Sequence, residues 1–224
     1  MDFFYPVVRF FVQGGAFMLP ILIVGAVGAA IAIERYTTLT RMRVKNRNLW
    51  ARMEPVLSSG DFDKARELTG KDDTALGRLL GTGLALQGAV RRRDDVEKAM
   101  QESMMEIVPQ LEKRTHYLAT FANLATLLGL LGTVSGLIHA FSAVATVNPA
   151  EKANLLSASI SEAMNCTAFG LMVAVPMLFI HAFLQTKTTQ LIDSFETAAI
   201  KYLNVLTSRS MAKVQARIEP ARAA

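Results

Sequence analysis

Ala125–Leu137 reads ATLLGLLGTVSGL, an uncharged stretch with two threonines seven residues apart and glycines at 129, 132 and 136. Gly129 is followed at four residues by Thr133, and Gly132 at four by Gly136. On a helix this spacing stacks small residues into strips where another backbone can come close. Thr126 and Thr133 stand nearly two full turns apart, so their hydroxyls face almost the same way. The plainer reading of the glycine strips is simple helix association. Either hydroxyl can instead bond the carbonyl one turn back along its own helix.

Working outward, Leu118–Val147 carries no Asp, Glu, Lys or Arg. It is longer than the ~20 residues a helix needs to cross a bilayer, so it should tilt or protrude. Upstream, Phe17–Ile33 (FMLPILIVGAVGAAIAI) is likewise uncharged, and a third apolar run spans about Ala163 to Leu184 with Pro176 inside it. A proline there kinks a helix unless neighbouring helices satisfy the freed carbonyl. The 51% hydrophobic content and mean hydropathy of +0.29 fit the same class. The fold class expected is all-α, an integral membrane protein with three transmembrane helices in the lipid bilayer and long helices extending into the cytoplasm. A cleaved signal peptide is the rival for the first run. The residues before it are aromatic rather than basic, however, and the basic cluster follows it, which favours a retained anchor.

Basic residues near the span ends set the orientation. Arg35, Arg41, Arg43, Lys45 and Arg47 follow the first span, Lys113 and Arg114 precede the second, and Lys187 follows the third. The expected layout is an N-terminal outer segment (1–16), transmembrane helix 1 (17–34), a cytoplasmic helical loop (35–117), transmembrane helix 2 (118–147), a short periplasmic loop (148–162), transmembrane helix 3 (163–184), and a cytoplasmic C-terminal helix and tail (185–224). Within the loop, Asp61–Leu68 and Thr74–Gln87 have helical periodicity broken at Gly60, Gly70 and Gly88. From Arg93 the pattern puts Val96, Met100, Ile107 and Leu111 on one face. It runs into the second span as one long helix that Pro109 can bend. The last residues, KVQARIEPARAA, read as a frayed tail.

The net charge of +5 does not indicate nucleic acid, because acids are interspersed with the basic residues throughout the loop. Cys166 is the one cysteine and sits in an apolar run, so it reads as a packing residue. His139 and His181 fall toward opposite membrane sides, which disfavours a shared metal site. No nucleophile with a base is grouped as an intramembrane enzyme requires, and no cofactor is expected.

The third span opens with SISEAMNCTAFGLMVAVP. Glu162 is either an interface anchor or part of an ion path. Asn165 and Thr167 add polar groups deeper in. At 100° per residue, Glu162 and Thr167 point roughly 140° apart on a straight helix. No Asp, Glu, Lys or Arg lies near the middle of any span. A proton relay therefore needs an acid from a partner.

LLGLLGTVSGLIHAF followed by ISEAMNCTAFGLMVAVP resembles the paired signature of the ExbB/TolQ/MotA proton-channel family, and the resemblance extends from about Val96 to Leu206. With three spans rather than four, the chain is similar to the ExbB/TolQ branch. The resemblance implies a bacterial inner-membrane stator that uses the proton motive force to energise an envelope process such as TonB-dependent transport, or a Tol-type system. It also implies a homopentamer around an ExbD/TolR-type single-span partner, whose membrane aspartate carries protons, with a TonB-like protein beyond it. By the same resemblance Thr133 and Thr167 line the pore, Glu162 matches the glutamate at the outer end of the third span, and Pro176 matches its proline. Thr126 stands where relatives often have proline, and Asn165 with Cys166 replaces apolar or small residues. Both departures bear on the choice between H⁺ and Na⁺. The competing reading is a non-conducting membrane scaffold.

Overall fold

The computed structural model describes residues 14–87, 93–146 and 148–222. Six helices account for nearly all of them: α1 (Met18–Ser59), α2 (Phe62–Gly70), α3 (Ala75–Leu86), α4 (Arg93–Glu112), α5 (Thr115–Thr146) and α6 (Pro149–Arg222). Three stretches are long and apolar enough to cross a membrane, namely Met18–Ser59, Arg93–Ala145 and Pro149–Arg209. The chain is therefore an all-helical, multi-pass membrane protein.

Two compact units divide the chain. The first comprises Met1–Arg35 and Arg114–Gln185. Its buried positions are mostly small, including Ala122, Ala125, Ala140, Ala163 and Ala174, whereas Leu127, Leu130, Phe141 and Phe179 face outward. This pattern is inverted relative to a water-soluble bundle, as expected where lipid solvates the large side chains and van der Waals fit holds the helices together.

The second unit comprises Tyr36–Lys113 and Thr186–Ala224 and is built like a soluble helical domain. Leu49, Met53, Leu79, Leu80, Leu84, Phe195 and Tyr202 are fully buried. Asp61 and Thr74 cap α2 and α3, accepting from the backbone N–H of Lys64 at 3.1 Å and of Gly77 at 3.0 Å. Gly60, at φ +73°, closes α1 with a left-handed residue. On α4 the buried face is Val96, Met100, Ile107 and Leu111, as the periodicity predicts.

Four expectations are corrected or fall outside the description. The helix entering the second span is not continuous. It breaks at Lys113–Arg114, where Arg114 takes φ +65°, while α4 runs through Pro109 without interruption. No glycine marks this break, which is why the pattern hides it. The segment 148–162 is not a loop. Asn148 alone stands before α6, and its carbonyl accepts from Glu151 N–H at 3.0 Å. Pro149 has no N–H to leave unsatisfied in the first turn, and Glu151 complements the helix dipole there. The backbone of the tail is helical to Arg222 rather than frayed. Gly88 and Val147 lie outside the described residues, as does most of the outer segment 1–16.

Tyr202 yields a prediction. Its ring packs against Gly83 and close to Met100, and its hydroxyl has no hydrogen-bond partner among the described residues. Burial pushes the phenol well above its usual range, only partly opposed by Arg66. The folded state therefore favours the protonated phenol. The stability this brings is complete below the ordinary tyrosine pKa near 10 and is lost as pH rises above it. Tyr202→Phe should remove this alkaline loss. It should also hold or raise stability at neutral pH by up to about 1 kcal/mol, because a desolvated hydroxyl disappears. Thermal unfolding at pH 7.5 and 10.5 reads both effects, and a variant that is less stable at both pH values contradicts the assignment.

Candidate functional site

The sequence-singled residues on α5 and α6 meet within the first unit at a close helix crossing. A Cβ on Gly129 would lie 3.2 Å from Thr167 Cα, 3.3 Å from the Cys166 carbonyl oxygen and 3.3 Å from Gly170 Cα. A Cβ on Gly170 would lie 2.7 Å from the Ala125 carbonyl oxygen and 3.1 Å from Gly129 Cα. One turn on, Gly132 faces the buried Cys166 thiol, and Gly136 faces Ala163, whose Cβ would be 2.8 Å from an added one. Glycines and alanines let the two backbones touch, which in lipid supplies the contact that apolar collapse supplies in water.

This closeness gives the threonines different roles. Thr167, half-buried, donates its hydroxyl across the crossing to the Gly129 carbonyl oxygen at 2.8 Å. Thr133 and Thr126 instead take the local option, donating to Leu130 O at 2.6 Å and Ala122 O at 3.1 Å on their own helix. Thr133 is only half-buried and Thr126 is exposed, so both keep oxygen lone pairs open to a further donor.

Glu162 is exposed on α6, and its carboxylate lies against the backbone of Gly15, which adopts φ +76°. A side chain at position 15 would meet that carboxylate. Asn165, half-buried, lies between Glu162 and Thr167 in sequence. Pro176 is exposed, and α6 continues through it. It borders a groove of about 420 Å³ between α1 and α6, together with Gly25 and Gly28.

Sequence reasoning passed over three residues that shape this region. Gly170 is half of the tightest contact, and Gly25 and Gly28 admit Val173 and Met177 of α6 against α1. The available signal was the small-residue run Gly25–Ala30 in the first span and Gly170 at four residues from Cys166. Among the described residues no cluster of three His, Cys, Asp or Glu side chains could hold a metal ion.

Comparison with known proteins shows the family. The family described as the MotA/TolQ/ExbB proton channel family matches residues 71–197. The chain is 30% identical over 190 residues to a Synechocystis sp. protein named biopolymer transport protein ExbB-like 1, covering 83% of this chain and 73% of the relative. It is 27% identical over 172 residues to ExbB-like 3 of the same organism, covering 76% and 81%. It is 28% identical over 116 residues to the Tol-Pal system protein TolQ of Haemophilus influenzae, covering 52% and 50%. With more than half of its length matched, including the whole Gly129–Gly170 crossing, the chain belongs to the MotA/TolQ/ExbB proton channel family.

Proposed function

We propose that the chain is the channel-forming subunit of an inner-membrane stator driven by the proton motive force. In this reading its N-terminus is periplasmic and its C-terminus cytoplasmic, and five copies surround the spans of an ExbD/TolR-type partner. The partner's aspartate takes up and releases the proton, while the oxygens of Thr133, Thr167, Thr126 and Asn165, with Glu162 at the outer end, line its way. The envelope process energised is TonB-dependent transport, through a TonB-like protein. Similarity to TolQ favours a Tol-type system as the second reading.

The observation that carries the proposal is the combination at the crossing. Hydroxyl oxygens are held in place with lone pairs to spare, in spans that contain no Asp, Glu, Lys or Arg near their middle. Hydroxyls can pass a proton along but cannot store one at neutral pH, so the storing acid comes from another chain. The few oxygens also favour H⁺ over Na⁺, since hard cations are held by six or so oxygen ligands.

The test is proton flux into liposomes holding this chain with and without an ExbD/TolR-type partner, under an imposed pH gradient. Flux that requires the partner is the expected result, and it should vanish when the partner's membrane aspartate becomes asparagine. No flux in the assembled pair, or flux that survives that change, defeats the proposal in favour of a scaffold.

A further inference from the structure

The second unit carries a groove that its own core does not fill. Between α3, α4 and α6 an opening of about 740 Å³ is lined by Met104, Met105, Val108 and Ile200, with Glu97 and Glu196 at its edge. Met105 is 75% exposed and Ile200 57%. These helices cannot shelter the groove in hydrocarbon, because α4 carries six acids and two basic residues. Exposed methionine and isoleucine on a water-facing domain mark an interaction surface.

The same unit holds the complementary surface. From Tyr36 to its end, α1 carries five basic residues against one acid. Its outward stripe has Val44, 53% exposed, flanked by Arg41, Lys45 and Arg47. None of these three forms an ion pair among the described residues, nor do the rim acids Glu97 of α4 and Glu196 of α6. The two faces lie on different sides of α6. Lys201 of α6 pairs with Glu54 of α1 at 2.7 Å and lies over Trp50, while its neighbours Ala199 and Ile200 line the groove. At about 100° per residue the α1-facing and groove-facing sides of α6 are roughly 140° apart.

We infer that the methionine groove of α4 and α6 docks the basic outward stripe of α1 from a second copy of this chain. Two unlike, charge-matched faces on opposite flanks make a head-to-tail contact that repeats. Copies sharing one membrane share one orientation, so the repeat turns about the membrane normal, as the ring of the proposed function requires. An acidic rim also disfavours an anionic lipid surface as the occupant. The inference deepens the proposed function by naming the extramembrane contact of its ring, and it rests on that reading.

The test places a benzophenone photo-crosslinker at position 105 of the full chain in lipid nanodiscs, with native mass spectrometry on the same sample. The expected product is a covalent dimer whose digest joins position 105 to the peptide around residues 41–55 of another copy. Glu97→Lys with Glu196→Lys should lower its yield about fivefold, the equivalent of about 1 kcal/mol from two surface pairs. Adding Arg41→Glu and Lys45→Glu to the same chain should restore it. An adduct to lipid, to α4 of another copy, or none at all while the chain remains oligomeric overturns this surface and leaves the ring reading standing. A monomeric mass brings down both. Yield unaffected by the charge reversals overturns the pairing of the two faces.

Discussion

Gly170→Leu should leave little folded protein in detergent, whereas Gly70→Ala should melt like the parent chain. The difference is backbone geometry. Even a methyl at 170 would sit 2.7 Å from the Ala125 carbonyl oxygen and 3.1 Å from Gly129 Cα, atoms held by α5 that cannot rotate aside as a side-chain tip can. Overpacking of one or two methylenes costs about 1–3 kcal/mol, and a leucine with no void to enter should exceed that range. Against a total stability of about 5–15 kcal/mol, such a loss is a large fraction. Gly170→Ala separates packing from propensity. The clash is opposed by the roughly 1 kcal/mol that alanine gains over glycine inside a helix, so the net loss should be only about 0–2 kcal/mol. Gly70, with nothing within 4 Å of an added Cβ, is the control. Fluorescence-detected size exclusion after a temperature ramp reads all three, and a Gly170→Leu chain that melts with the parent would disprove the close crossing.

Thr167→Ala and Thr133→Ala should both depress partner-dependent proton flux, but only the first should also cost stability. Thr167 ties α6 to α5 through the Gly129 carbonyl, and losing an interhelical hydrogen bond in a membrane costs about 1 kcal/mol. Thr133 bonds a carbonyl on its own helix, so its removal should shift stability by less than about 0.5 kcal/mol. If each hydroxyl lowers one step of the conduction barrier by about 1.4 kcal/mol, flux at matched assembly falls about tenfold in each variant. Thr167→Ser, which keeps the donor, should recover most of both losses. Full flux in Thr133→Ala would remove that residue from the pathway. Full flux in both variants would leave the hydroxyls with a structural role only.

How legible was this in the sequence? The three apolar stretches and the buried face of α4 were plain, because long uncharged runs and a helical period are local properties. Asp61 and Thr74, the first residues of the two periodic runs in the loop, stand at the N-caps of α2 and α3. What escaped was set by neighbours. Nothing in the text of the chain distinguishes Thr167, which reaches across to α5, from Thr133, which bonds its own helix; the choice depends on how closely Gly129 and Gly170 let the backbones approach. Gly25 and Gly28 were hidden in a run where small residues look like ordinary apolar filler. The segment after Asn148 was misjudged because its polar residues lack an apolar stripe, although Pro149 and Glu151 suit the opening of a helix. The break at Arg114 had no glycine to announce it.

That break sets two opposing demands on position 114. Arg114 holds a left-handed backbone that favours glycine or asparagine, while one of its guanidinium nitrogens donates to both carboxylate oxygens of Glu34 at 2.7 and 2.8 Å. Glycine would relax the chain and surrender the cation. Lysine would keep the cation and relax nothing. No single replacement serves both demands, so leaving arginine here trades an exposed ion pair against a relaxed backbone, each worth about 1 kcal/mol.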